Sequence, residues 1–289
     1  MLWVKAKPAA KGDIMQIART IGTALASLVL AGGALATPPG PGQHFDCTDG
    51  GTTSCTADDE GCVPADKPGY KCSSTAGKII AKAVKGAFSC HAKQAESRFQ
   101  GASITGAGNS EENCENNPGK SVQSIFNAGV DRLTSLGCGN AAAVSAYGAT
   151  LFGTGPGSFD GDNGNVYCDS TSGALIDDDD TGWVANSDAM LKCEIAVAKA
   201  LVKLQASTSK CHTRMGASFL RGVDFDEESC EEVAAGTAKG GLEKFNSVRD
   251  KLVAANICPP CLNAAGMDAL AAATISREDT NNDVAFPCP

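Results

Sequence analysis

The sequence predicts an all-α fold, with two tandem disulfide-pinned helical-hairpin or bundle domains behind a cysteine-rich irregular N-terminal segment. The first of three observations behind this is self-similarity, a signature of repeated supersecondary units. Cys72, Cys90, Cys114, Cys138 and Cys168 are spaced by 18, 24, 24 and 30 residues, and Cys193, Cys211, Cys230, Cys258 and Cys288 by 18, 19, 28 and 30. The second is apolar spacing at three- and four-residue steps in the long segments of both copies. The third is composition: aromatics are 5% of the 289 residues and glycine is abundant at 33, which suits close-packed helices better than a strand-rich sandwich.

Residues 1–36 read as a signal peptide. Lys5, Lys7, Lys11 and Arg19 precede the apolar run Ile21 to Ala36, which closes on Ala34-Leu35-Ala36, a small-residue cleavage pattern. Met15 is an alternative start for this leader, and cleavage places the mature N-terminus at Thr37. The run is shorter than the roughly 20 residues that a membrane span needs. Fourteen cysteines behind such a leader imply disulfides, an oxidising compartment and an exported, extracellular or periplasmic location.

Residues 37–70 hold Cys47, Cys55 and Cys62 among Gly, Pro and polar residues and read as an irregular loop segment. Residues 71–168 form repeat 1, residues 169–186 an acidic linker and residues 187–289 repeat 2. The run Asp177 to Asp180 is expected to repel itself and stay solvated. Helices are expected from about Lys71 to Phe99, Pro118 to Leu136, Ala141 to Leu151, Ser187 to Arg221, Glu231 to Ala255 and Leu262 to Thr274. Asn117-Pro118 supplies a cap with proline in the first turn.

Local words match between the copies: Cys90-His91 with Cys211-His212, Glu111-Glu112-Asn113-Cys114-Glu115 with Glu227-Glu228-Ser229-Cys230-Glu231, and Phe126-Asn127 with Phe245-Asn246. Eighteen residues make five whole helical turns, so Cys72 and Cys90 project from one face about 27 Å apart. An antiparallel return brings Cys138 to Cys72 and Cys114 to Cys90. The same reasoning expects Cys193–Cys258 and Cys211–Cys230, with Cys261–Cys288 anchoring the tail and Cys168 paired to one of the N-terminal trio. All seven bridges are expected to stay within their own half.

Several motifs have competing readings. His91 and His212 lack the Cys-x-x-Cys-His arrangement of covalent haem; they read first as surface or hairpin-end histidines beside structural disulfides, and alternatively as ligands of a metal or of non-covalent haem. Asp160, Asp162, Asn163 and Asn165, and then Asp279, Asn281, Asn282 and Asp283, offer oxygen donors, but the first set fails the EF-hand pattern and reads as Asx-turn chemistry. Cys258-Pro259-Pro260-Cys261 has redox spacing, yet no βαβ pattern surrounds it. No nucleophile elbow, Walker loop or HExxH word is present. A net charge of -9 argues against nucleic acid as a partner.

The order Cys, Cys-His, Glu-Glu-[Asn/Ser]-Cys-Glu and Phe-Asn-x-x-x-Asp-[Arg/Lys]-Leu resembles the tandem cysteine-rich helical repeats of uncharacterised exported proteins from environmental bacteria, over about two thirds of the chain. That resemblance implies export and a helical repeat fold, and it carries no activity or site residues. The reading is therefore an exported structural or binding protein and not an enzyme, without cofactor, with a protein or cell-surface partner. Its alternatives are a metal- or haem-binding protein using His91 and His212, and a thiol oxidoreductase using Cys258 and Cys261.

Overall fold

The computed structural model describes residues 39–45, 59–103, 111–232 and 240–289. The leader, Cys47 and Cys55 lie outside them. Among the described residues the fold is all-α, and two isolated bridges, His44 with Cys62 and Leu175 with Trp183, are its only β pairing.

Helix α1 (Lys67–Phe99) starts before the sequence period suggests, because the Asp66 side chain accepts from the Gly69 N–H at 2.7 Å and Pro68 fits the first turn. Two five-residue helices follow the long helices: α2 (Glu111–Glu115) in the first half and α7 (Glu227–Glu231) in the second. The first half continues with α3 (Val122–Ser135), α4 (Ala141–Leu151) and α5 (Phe159–Asn163). Helix α3 begins three residues beyond Gly119 and not at Pro118, because the Ser121 hydroxyl, not Asn117, caps it by accepting from the Ser124 N–H. The second half runs through α6 (Asp188–Phe219), capped by Ser187, then α8 (Gly241–Ala255), α9 (Ala264–Thr280) and α10 (Asn282–Ala285).

The long helices α1 and α6 pack against each other, α3 folds back on α1, and α8 and α9 fold back on α6. Small buried side chains on α1 and α6 (Ala76, Ala83, Ala87, Ala198) allow close approach. Each apolar core draws on both halves. Ile80, Phe126 and Leu133 share one with Met215, Phe219 and Phe286; Ala92, Ala95 and Tyr167 share the other with Leu201, Leu204 and Met267. The described residues accordingly form one compact unit.

The segments preceding α1 and α6 make matching contacts. Asp59 stands 13 residues before Cys72, and Asp180 stands 13 before Cys193. The Glu60 N–H donates to the Asp279 carbonyl (3.1 Å) and the Thr181 N–H to the Asp160 carbonyl (3.2 Å). The Cys62 N–H donates to Phe286 (2.9 Å) and the Trp183 N–H to Tyr167 (2.8 Å). The N-terminal loop thus closes onto the end of the second half, while the loop between the halves closes onto the end of the first. The acidic run is not wholly solvated as expected: Asp177 and Asp180 are 2% and 4% exposed. Backbone donors explain why, since the Asp178 N–H serves Asp177 and the Gly182 N–H serves Asp180.

The disulfides Cys72–Cys138, Cys90–Cys114, Cys193–Cys258 and Cys211–Cys230 pin the hairpin ends. The expected Cys261–Cys288 bridge is absent, and so is the confinement of bridges to each half. Cys288 pairs with Cys62, and Cys168 pairs with Cys261. The crossing follows from the loop exchange, which seats Cys62 beside the C-terminal tail. Trp183 holds the matching place at the other end, so Cys168 finds Cys261 instead of a loop cysteine or one of the N-terminal trio. No described cysteine is free.

Candidate metal centres

His91 lies one residue after Cys90 near the end of α1, and the Cys90–Cys114 bridge ties this end to α2. Helix α2 carries Glu111 and Glu115 four residues apart, so both project from one face. Asp160, in the first turn of α5, completes the set. His91 Nε2 lies 3.2 Å from Glu111 Oε1, 3.3 Å from Glu115 Oε2 and 3.4 Å from Asp160 Oδ1.

The second half repeats this arrangement. His212 follows Cys211 on α6, the Cys211–Cys230 bridge holds α7, and α9 supplies Asp279. His212 Nε2 lies 3.2 Å from each of Glu227 Oε1, Glu231 Oε1 and Asp279 Oδ1. Within each quartet the donor atoms all lie within 4.8 Å of one another.

Both sets are removed from water. His91, Glu111, Glu115 and Asp160 are 0–3% exposed, and of the second set only Glu227, at 9%, exceeds 6%. Burial of three carboxylates around one imidazole is costly, because Nε2 carries at most one proton and cannot serve three acceptors. Neither histidine Nε2 makes a hydrogen bond of acceptable geometry, and neither do both oxygens of Glu111 and Glu115. The electrostatics show the same conflict. Burial pushes Glu111 up to about 8, and burial together with Glu227 pushes Glu231 far above the carboxylate range. Burial opposes charge on the histidines, yet Asp160, Glu111 and Glu115 hold His91 well above 6.5, and Asp279 and Glu227 hold His212 at about 10.

A divalent cation among these donors would resolve this conflict. Four donors about 2.1 Å from one ion stand roughly 3.4 Å apart at the corners of a tetrahedron, which is the spacing these nitrogen–oxygen pairs show. Asp160 also groups with Glu112 and the exposed Asp179, so one carboxylate of the first set connects the interior with the surface. Burial raises Glu112 to about 7, and its Oε2 accepts from Asn116.

Of the residues singled out from sequence, His91, His212, Asp160 and Asp279 enter these sets. Asp162 does not: it pairs with Arg277 Nη1 at 3.1 Å and accepts from the Gly157 N–H. Cys258 and Cys261 belong to different bridges and are not each other's partner. Sequence reasoning passed over the glutamates as donors, although the signal was present. Glu111-x-x-x-Glu115 and Glu227-x-x-x-Glu231 flank a cysteine whose partner adjoins the histidine. A scan against protein-family models and searches of curated proteins and solved structures return no match.

Proposed function

We propose that this protein binds two divalent transition-metal ions, one at His91, Glu111, Glu115 and Asp160 and one at His212, Glu227, Glu231 and Asp279. The observation that carries this reading is the convergence of a buried imidazole Nε2 and three buried carboxylates, twice, at ligand spacing. One imidazole with three carboxylates suits Mn²⁺, Fe²⁺, Co²⁺ or Zn²⁺ better than soft Cu⁺, for which thiolates are preferred. Carboxylates crowd each imidazole, which favours a bare ion over haem. Closed, buried sets suit an ion held for storage or for fold integrity better than turnover of a large substrate.

We infer further that the matching halves descend from a tandem duplication and that the protein is exported. The six bridges among the described residues call for an oxidising environment, and among those residues no helix is long and apolar enough to cross a membrane. The leader read from residues 1–36 supplies the route.

Elemental analysis of protein saturated with Mn²⁺, Fe²⁺, Co²⁺ or Zn²⁺ and then dialysed tests the reading. Two equivalents per chain are expected, falling to one in His91→Ala or His212→Ala and to none in the double variant. Less than one equivalent with all four ions in folded wild-type protein defeats it.

A further inference from the structure

We propose that the slot between α1 and α3, which uses none of the residues of the metal centres, is a binding site for one straight-chain carboxylate of the fatty-acid class.

Helices α1 and α3 leave between them a cavity of about 370 Å³, within the size range of small-molecule pockets. Two close contacts show how the helices run. Gly129 faces the Ile79 side chain, and Gly86 faces Val122. The pair is therefore antiparallel, and its register sorts the lining into two ends. Thr75, Lys78 and Arg132 share one end, while Ala83, Val122 and Ile125 share the other. From Val122 to Arg132 the slot runs about 15 Å at the helical rise.

The charge of the slot is opposite to that of the chain. The protein has a net charge of -9, yet Lys78, Lys82 and Arg132 line the slot and no acidic residue does. None of these three cations makes an ion pair among the described residues. At the other end Ile125 is 60% exposed, an apolar wall open to water. An ammonium and a guanidinium hold a carboxylate by charge-assisted hydrogen bonds, the guanidinium by two at once. A hydrocarbon chain laid from that head toward Ile125 and Val122 removes apolar surface from water. A slot cationic at one end and apolar at the other thus matches an anionic head with a straight tail.

The second half keeps the cations but not the apolar lining. Lys199, Lys203 and Lys251 answer Lys78, Lys82 and Arg132, whereas Leu204 stands for Ala83, Val248 for Gly129 and Lys244 for Ile125. Leu204 is 1% exposed and reaches α8, where a Cβ on Gly241 would lie 3.2 Å from its Cδ1. Its side chain occupies the space that Ala83 leaves open, so the site exists once per chain.

Calorimetric titration of the full chain with dodecanoate, kept below its micelle concentration, tests the inference. One equivalent is expected to bind, and octanoate, shorter by several methylenes, should bind at least tenfold more weakly. The double variant Lys78→Gln with Arg132→Gln should weaken dodecanoate about tenfold or more, and Ile125→Ser several-fold. The matching variant of the second half, Lys199→Gln with Lys251→Gln, should leave affinity unchanged. All of these positions except Lys199 and Lys251 line the slot, and circular dichroism checks that each variant is folded. Absence of dodecanoate binding in the wild type overturns the inference. So do equal affinities for octanoate and dodecanoate, full affinity in Lys78→Gln with Arg132→Gln, or an equal loss in the second-half variant. Binding to anionic lipid vesicles without binding of monomeric dodecanoate overturns it in favour of a membrane-contact face. None of these outcomes bears on the metal reading, since the number of bound ions is expected to be the same in every variant.

Discussion

Glu194 sits on α6 wholly inside the protein, and neither carboxylate oxygen meets a hydrogen-bond partner. Burial pushes its pKa up to about 8, so its ionisation works against folding at neutral pH and above. Glu194→Met keeps the volume and removes the polar group, and a gain of about 1–2 kcal/mol is expected at pH 8. For a chain of this size that is a rise in Tm of about 2–8 °C, readable by calorimetry; a fall in Tm would show that the carboxylate is satisfied. At this scale the histidines were legible in the sequence, because a Cys-His word that recurs at one place in two copies is conspicuous. Asp59 was not legible. Its match with Asp180 lies in the words Asp58-Asp59-Glu60-Gly61-Cys62-Val63 and Asp179-Asp180-Thr181-Gly182-Trp183-Val184, where a cysteine replaces a tryptophan and the acidic run suggests a linker.

Helices α2 and α7 are each five residues long, too short to hold themselves in water. Their bridges to α1 and α6 supply the position that helix propensity cannot. The double variant Cys90→Ser with Cys114→Ser is therefore expected to lose the ion at His91 and keep the one at His212, measured as a fall from two bound equivalents to one. Retention of both would show that packing alone sets α2. The meeting of α3 and α4 makes a second demand. A Cβ on Gly148 would collide with the Phe126 ring at Cε1, and Gly148→Ala should cost about 1–3 kcal/mol in chemical denaturation through forced repacking. Long helices were readable because their apolar period runs for several turns. Ala141–Leu151 emerges with the expected bounds, and α6 within two residues of them. The short helices escaped because five residues carry no period, and α3 shifted because a serine hydroxyl decides its start.

Across the whole molecule, buried acids and histidines hold protons that the unfolded chain would release. Burial, the first cause in each case, raises Glu111 and Glu194 to about 8 and Asp59 to about 7, while neighbouring carboxylates raise His212 to about 10. The metal-free folded state therefore binds more protons than the unfolded state between about pH 4.5 and 8, and its stability falls as pH rises through that window. An ion taken up at the proposed centres would displace the protons on Glu111 and His212, so ion affinity is expected to rise over the same window. Calorimetric Tm of metal-free protein should be higher at pH 5.5 than at pH 8, and saturating Co²⁺ should shrink or invert the difference. An ordering unaffected by the ion would separate the buried charges from metal binding. The sequence pointed to hairpins pinned at both ends but not to their interlocking, because a bridge across halves depends on where a loop lands and not on any spacing along the chain.

The bond between Cys62 and Cys288, 226 residues apart, makes nearly all of the described fold a covalent ring. Tension applied to the ends of the chain passes across one sulfur–sulfur link and bypasses the helices. Pulled in an optical trap, the oxidised protein should yield only the residues outside the ring, and the long extension of an unravelling domain should emerge after a reductant is added. The same ring holds together a chain cut once anywhere inside it, so a single proteolytic nick between residues 62 and 288 leaves one band on a non-reducing gel and two on a reducing one.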